Sequence, residues 1–296
     1  MSSDSRRGLR RIGAVLAAMS VVYLGVGAFV TLTMTHPRRN VDAAVSPATQ
    51  KLAFSDISFS SRSKDATLSG WFVPERPGVS TLHRAVVLVH GKDSSRTGAF
   101  GGHLPEVAAQ LHQHDFAVLA FDMRGHGKSG DGRFTLGLRE AQDVLGGFDW
   151  LRQRGYPAGS IGVLGQSMGA AATIYAAAAE PAIGAVITDC GFADVRPVMA
   201  SEWRRITGLP NLFMPATRLA SLALLGLDMS NSQPVTIIGR IAPRPMLIIH
   251  GDADRLIPVS HAMQLKQALP SAELWIIPGV RHVGGYLADP AGFSKR

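Results

Sequence analysis

The chain has 296 residues, 46% of them hydrophobic and 18% charged, with a formal net charge of +8. Residues 1–39 carry six arginines and one aspartate, so the basic balance belongs largely to the N-terminus and gives nucleic-acid binding little support. The single cysteine, Cys190, excludes an intrachain disulfide, and no Cys/His spacing indicates a zinc site.

The first predicted element is an uncharged, mostly apolar run at residues 12–34, which follows a basic flank at residues 1–11. As a helix the run would measure about 34 Å, long enough to cross a bilayer core. Four arginines precede it and two follow it, which favours a cytoplasmic N-terminus with the rest of the chain on the extracytoplasmic side. We therefore predict a single-pass membrane anchor and a polar linker at residues 35–50. A signal peptide cut within residues 42–45, or a buried soluble helix, is the alternative.

Residues 51–296 show the pattern of one α/β domain. Two strand patterns at 53–60 and 66–73 predict an antiparallel start to a sheet. Apolar runs, most of them separated by helical patterns such as 104–114 and 137–154, then predict parallel strands. These predicted parallel strands are 85–90, 116–121, 160–164, 183–188, 245–250 and 273–277. The predicted fold is thus a mostly parallel, doubly wound sheet.

The pentapeptide at 165–169, Gly-Gln-Ser-Met-Gly, lies between a predicted strand and a predicted helix. A serine on a sharp strand-to-helix turn is exposed above the sheet edge. The helix that follows adds backbone N–H groups and a partial positive charge in front of the serine. This context makes Ser167 the candidate nucleophile.

A serine nucleophile needs a base and an acid that orients the base. Asp254 follows the predicted strand 245–250, at the sheet edge where open α/β sheets place their sites. Asp252, expected to brace the turn, and Asp189, at the end of the preceding strand, are alternative acids. His282 follows the last predicted strand and is the candidate base.

With these residues the chain resembles the α/β-hydrolase superfamily, and within it the membrane-anchored Bem46-type serine hydrolases. The resemblance spans about residues 50–296, and its motifs lie at 89–91, 121–129, 165–169, 250–254 and 279–282. It implies hydrolysis of an ester, thioester or amide through an acyl-serine, without metal or organic cofactor. It also implies an oxyanion hole made by the backbone N–H groups of Met168 and Lys92, and a structural role for Arg124 and His126.

The interval from Cys190 to Pro243 is longer than one crossover helix needs, and we interpret residues 191–240 as a small helical cap within the domain 51–296. Its apolar residues could line an acyl pocket, or touch the membrane beside the anchor. The expected function is a serine esterase or thioesterase acting on a small or lipid-like acyl substrate. A peptidase or amidase with the same triad, or a hydrolase-fold scaffold without turnover, is the alternative.

Overall fold

The structure is a computed structural model that describes residues 3–76, 78 and 83–296. The chain forms two compact units. The helical unit contains the chain up to Thr35 together with Met199–Asn231, and the sheet unit contains His36–Val198 together with Ser232–Arg296. Most of the segment predicted as a cap therefore belongs to the same unit as the N-terminal helix.

The strands of the sheet unit form one eight-stranded sheet in the order β1-β2-β4-β3-β5-β6-β7-β8. The pairs β1/β2 and β2/β4 are antiparallel, and every other neighbouring pair is parallel. The strand bounds are β1 (Ser55–Ser60), β2 (Thr67–Val73), β3 (Arg84–Val89), β4 (Phe116–Phe121), β5 (Ile161–Gln166), β6 (Ile183–Asp189), β7 (Met246–Gly251) and β8 (Glu273–Ile277).

Helices connect most of the parallel strands and form the helical unit. Their bounds are α1 (Ser3–Met34), α2 (Leu104–Gln113), α3 (Glu140–Arg152), α4 (Met168–Ala179), α5 (Val195–Thr207), α6 (Met214–Leu225), α7 (Ser260–Ala268), α8 (Gly285–Ala288) and α9 (Pro290–Lys295). Helix α5 begins in the sheet unit and ends in the helical unit.

The core lies on both faces of the sheet, and strand β3 shows why. Its side chains alternate between two buried clusters, with Val87 and Val89 in one and Val86 and Leu88 in the other. Both faces are covered, so β3 is apolar at nearly every position, as strands in parallel sheets usually are.

The predicted fold class is confirmed, and the element bounds differ in a few places. Helix α1 begins at Ser3, because the basic flank continues the helix of the apolar run. Helix α3 begins at Glu140 instead of residue 137, because the Glu140 carboxylate accepts hydrogen bonds from the backbone N–H groups of Thr135 and Gly137 and ends the preceding turn. The short helices α8 and α9 were not predicted.

Candidate active site

Ser167 lies on a strained turn between β5 and α4. Its backbone has φ 53° and ψ −115°, a conformation that non-glycine residues rarely adopt. A Cβ at Gly165 would lie 2.3 Å from the Gly169 oxygen, and a Cβ at Gly169 would lie 2.4 Å from the His90 oxygen. Both glycines of the motif are therefore required by close backbone approach. The Ser167 N–H donates to the Asp189 carbonyl at 2.8 Å, which fixes the turn to β6.

The structure brings Ser167, His282 and Asp254 together. The Ser167 hydroxyl lies 2.9 Å from His282 Nε2, and His282 Nδ1 lies 2.6 Å from an Asp254 carboxylate oxygen. In the tautomer protonated at Nδ1, the imidazole donates to Asp254 and accepts from Ser167. The imidazole remains partly exposed, whereas the Asp254 side chain is buried.

The Asp254 carboxylate is held by the loop that carries it. Its Oδ1 accepts from the backbone N–H groups of Leu256 and Ile257, both at 2.9 Å, and its Oδ2 faces His282. Burial acts to raise the pKa of Asp254, but the hydrogen bond and the charge of His282 outweigh it and hold that pKa below its usual value. Asp254 is therefore ionised at neutral pH and can stabilise an imidazolium.

The two alternative acids have other partners. Asp252 Oδ1 accepts from the Gly279 N–H at 2.6 Å, which braces the turn after β8 as the sequence suggested. Asp189 is fully buried, and its Oδ2 accepts from Gln166 Nε2 at 2.8 Å. Burial raises the pKa of Asp189, so it is less suited than Asp254 to hold a charge beside an imidazolium.

The two predicted oxyanion donors lie at the ends of neighbouring elements. Met168 is the first residue of α4, and Lys92 follows Gly91, whose position lies against Ser167. Among the residues that the structure describes, neither backbone N–H donates to a protein oxygen. The Lys92 side chain pairs with Asp93 and lies 4.9 Å from the centre of the Phe134 ring.

The loops after β3 and β4 are held to each other by buried side chains that the sequence did not single out as a network. The His90 ring accepts from the Met123 N–H at 2.9 Å and donates to the Gly91 carbonyl at 2.7 Å. The Asp122 carboxylate accepts from the backbone N–H groups of Arg96 and Lys128, at 2.8 and 2.9 Å. The backbone around Lys92 is thus fixed from two sides.

Arg124 and His126 have structural contacts, as the resemblance implied. The Arg124 guanidinium pairs with Asp143 at 2.7 Å and with Asp65 at 3.1 Å. His126 donates from Nδ1 to the Arg124 carbonyl, and its Nε2 is buried without a partner among the described residues. Burial lowers the pKa of His126 to about 3, so the ring is neutral at physiological pH.

Cys190, His250 and Asp254 form the one group of potential metal ligands in the described residues, with ligand atoms within 4.8 Å of one another. Their hydrogen bonds do not suit a metal. The Cys190 thiol accepts from the Val283 N–H, His250 Nε2 donates to the Ile257 carbonyl, and Asp254 is bound to His282. Burial also raises the pKa of Cys190, which opposes the thiolate that a metal needs.

Most of the segment predicted as a polar linker belongs to the sheet unit and is hydrogen-bonded to one of its loops. The Arg38 N–H donates to Asp93 Oδ1 and the Asn40 amide donates to the Asp93 carbonyl, both at 3.2 Å. The Asp42 N–H donates to Thr97 Oγ1 at 3.0 Å. We call residues 38–42 the strap. The strap contacts the loop that contains Lys92, so its contacts belong to the framework of the candidate site.

The eight-stranded sheet, the strand-to-helix turn at Ser167 and the order of the candidate triad define an α/β hydrolase. The family model described as serine aminopeptidase S33 (Hydrolase_4) matches residues 80–236, which is more than half of the chain. The chain belongs to this family.

The comparisons with individual proteins agree with that assignment. The uncharacterized protein YfhR of Escherichia coli (strain K12) is 29% identical over 229 residues, which cover 75% of this chain and 72% of YfhR. The monoglyceride lipase of Rattus norvegicus is 28% identical over 224 residues, which cover 64% of this chain and 74% of the lipase. The structure of the Pyrococcus furiosus esterase Pf2001 has a TM-score of 0.71 and 25% identity, and the match covers 88% of this chain and 96% of the esterase.

Proposed function

We propose that this chain is a membrane-anchored serine hydrolase that cleaves an acyl ester through an acyl-serine intermediate. The observation that carries the proposal is the chain of two hydrogen bonds from Ser167 through His282 to Asp254, at 2.9 and 2.6 Å. Such a chain activates a hydroxyl that is a weak nucleophile by itself.

The proposed reaction uses the groups as they lie. Ser167 Oγ attacks the carbonyl carbon while His282 Nε2 takes its proton, and the backbone N–H groups of Met168 and Lys92 stabilise the oxyanion. The imidazolium then gives the proton to the leaving oxygen, and an acyl-serine forms. Water repeats the steps, with His282 again as base, and releases the acid. Asp254 stays ionised and stabilises the imidazolium throughout.

Two relatives favour an ester as the substrate, since the matches include a monoglyceride lipase and an esterase. We therefore favour an acyl ester that is small or lipid-like, with a thioester as a close variant. The name of the family, serine aminopeptidase, favours amide hydrolysis as the second candidate. The same triad serves both reactions, so the leaving group is decided by the substrate pocket.

We propose that α1 anchors the enzyme in a membrane. In the described residues, α1 is the helix long and apolar enough to cross a bilayer, and signal sequences occupy the same place in a chain. The hydroxyls of Ser20, Thr31 and Thr33 donate to carbonyls four residues earlier, which satisfies them in an apolar medium. The four arginines before the apolar run support a cytoplasmic N-terminus and an extracytoplasmic sheet unit.

The test is labelling of the purified full chain with a fluorophosphonate probe, followed by mapping of the modified peptide. We expect the probe on Ser167 and no labelling of the Ser167→Ala variant. A folded wild-type protein that stays unlabelled would favour a scaffold without turnover. Rates on matched esters, thioesters and aminoacyl amides then separate an esterase from an aminopeptidase.

A further inference from the structure

Helix α6 distributes its side chains in the opposite way to an amphipathic helix of a soluble domain. It buries small residues, namely Ala216, Thr217, Ala220 and Ser221, and apart from Leu225 its leucines are exposed. Leu219 and Leu222 are exposed by 57% and 55%, and they lie three residues apart on one face. Small residues at the helix contact and large apolar residues outside are typical of helices that pack together in lipid.

The buried face of α6 packs on α1, within the helical unit. A Cβ at Gly27 would lie 2.5 Å from the carbonyl carbon of Ala216, so only glycine permits this approach of the two backbones. The Thr31 hydroxyl lies 3.2 Å from the Thr217 carbonyl, and the Tyr23 hydroxyl donates to the Leu212 carbonyl at 2.8 Å. Tyr23 lies in the middle of the apolar run, where a hydroxyl without a partner would be costly in hydrocarbon.

These contacts fix the direction of α6. Tyr23 meets Leu212, Gly27 meets Ala216 and Thr31 meets Thr217, so the two helices run parallel. With 12 residues, α6 measures about 18 Å, too short to cross a bilayer core. It therefore lies beside the second half of α1 only.

We propose that α6 is embedded in the lipid leaflet in which α1 ends, with Leu219 and Leu222 in contact with acyl chains. This inference rests on the proposed anchoring of α1. The surface it assigns continues the exposed apolar surface of α1, which includes Phe29 and Leu32. A bilayer that surrounds α1 would contact this continuous apolar surface on both helices at once.

The charged side chain of α6, Arg218, is paired so that its charge can reach water. The Arg218 guanidinium pairs at 2.8 Å with Asp228, which lies beyond the C-terminal end of α6, the end at which α1 leaves the apolar run. Long basic side chains direct their charge to the interface in this way. In α5, Arg205 pairs with Glu202, so the charge of Arg205 is neutralised at the end of α5 that leads into α6.

The experiment uses the full chain reconstituted into phosphatidylcholine vesicles, with an environment-sensitive fluorophore attached in turn to the Leu222→Cys, Phe29→Cys and Leu287→Cys variants. Phe29 tests the anchor, and Leu287 is a control of similar exposure in the sheet unit. Wild-type protein, whose one cysteine is buried, is the labelling blank. The quenchers are a nitroxide on the lipid acyl chain and iodide present on both sides of the bilayer.

We expect lipid nitroxide to quench the fluorophore in the Leu222→Cys and Phe29→Cys variants, and iodide to quench it in the Leu287→Cys variant. Quenching by iodide in the Leu222→Cys variant, with lipid quenching in the Phe29→Cys variant, would overturn this inference and leave the anchor intact. Protection from both quenchers in the Leu222→Cys variant would overturn it in favour of a second copy of the chain. Loss of lipid quenching in the Phe29→Cys variant would reject the anchor itself, whereas fluorophosphonate labelling tests the hydrolase separately.

Discussion

Replacing Asp254 by Asn tests the assignment of the acid. The Asn oxygen can still accept from the N–H groups of Leu256 and Ile257, so the loop should keep its fold. The amide nitrogen then faces His282 Nδ1, where the carboxylate oxygen lies 2.6 Å away in the wild type. Two donors cannot share this contact, so the imidazole must place its proton on Nε2. In that tautomer it cannot accept the proton of Ser167.

The expected loss in kcat for an ester substrate is about 10⁴-fold, as for other triads with the wrong tautomer, which corresponds to about 5 kcal/mol of activation free energy. The assay is steady-state hydrolysis of a chromogenic short-chain ester by the full chain in mild detergent. Circular dichroism of each variant checks that the fold is intact.

Two neighbouring carboxylates provide matched controls. The Asp252→Asn variant keeps an oxygen for the Gly279 N–H, and we expect its kcat within a few-fold of the wild type. The Asp189→Asn variant replaces a buried group that contacts Gln166, so it should lower stability more than kcat. If the Asp254→Asn variant kept a tenth of wild-type activity while the Asp189→Asn variant lost it, the assignment of Asp254 as the acid would be wrong.

Further predictions concern the turn at Ser167, a buried imidazole and the strap. The Gly165→Ala variant should lose about 3 kcal/mol of unfolding free energy through overpacking. The Gly162→Ala variant lies in the same strand, and its Cβ would lie 3.7 Å from the Ala185 oxygen, so its urea unfolding should be close to that of the wild type. Equal losses in the two variants would show that close backbone approach does not require glycine at residue 165. Burial lowers the pKa of His126 to about 3 in the folded state, whereas the unfolded chain has the ordinary histidine pKa of about 6.5. Below about pH 6.5 the imidazole is therefore protonated in the unfolded state and still neutral in the folded state, which lowers the free energy of unfolding. Between pH 7.5 and 5 the wild type should therefore lose about 2 kcal/mol that the His126→Asn variant keeps; parallel pH curves would reject a neutral buried ring. The Asn40→Ala variant should lower kcat a few-fold with little change in KM, because it removes a bond from the strap to the loop that contains Lys92. The Thr49→Ala variant removes only a local bond to the Ser46 carbonyl and should leave kcat unchanged. Equal effects on kcat would show that the strap does not support the site.

The parts of the site that the sequence predicted are those fixed by chain order and local geometry. A G-x-S-x-G motif between a strand and a helix places its serine on the connecting turn, whatever the order of the strands in the sheet. Parallel strands end at one sheet edge, so residues that follow β5, β7 and β8 meet there. That rule places Ser167, Asp254 and His282 at one sheet edge, and the conformations of their loops then bring them within hydrogen-bond distance.

The same rule could not choose between Asp254 and Asp189, because both follow neighbouring strands. The choice depends on which way each side chain turns, and Asp189 turns inward to Gln166. The ion pair between Arg124 and Asp143 could not be predicted from the sequence either, because the two residues lie on different elements and no sequence motif indicates that they pair. The sequence predicted a linker at the strap because the hydrogen-bond partners of the strap, Asp93 and Thr97, are more than 50 residues away in the sequence.

The strap also bears on the two interpretations of the apolar N-terminal run. A signal peptidase cut within residues 42–45 would separate Arg38, Arg39 and Asn40 from the rest of the sheet unit. It would remove the bonds to Asp93, and also those of Arg39 with the Ser129 carbonyl at 2.7 Å and with Asp131 at 2.6 Å. A typical hydrogen bond contributes about 1 kcal/mol to the free energy of unfolding, and an exposed ion pair contributes less. The cut would therefore lower the free energy of unfolding by a few kcal/mol. Against a total stability of about 5–15 kcal/mol, that is a substantial share. A chain that retains α1 keeps these contacts, so the strap favours the anchor over a cleaved signal peptide.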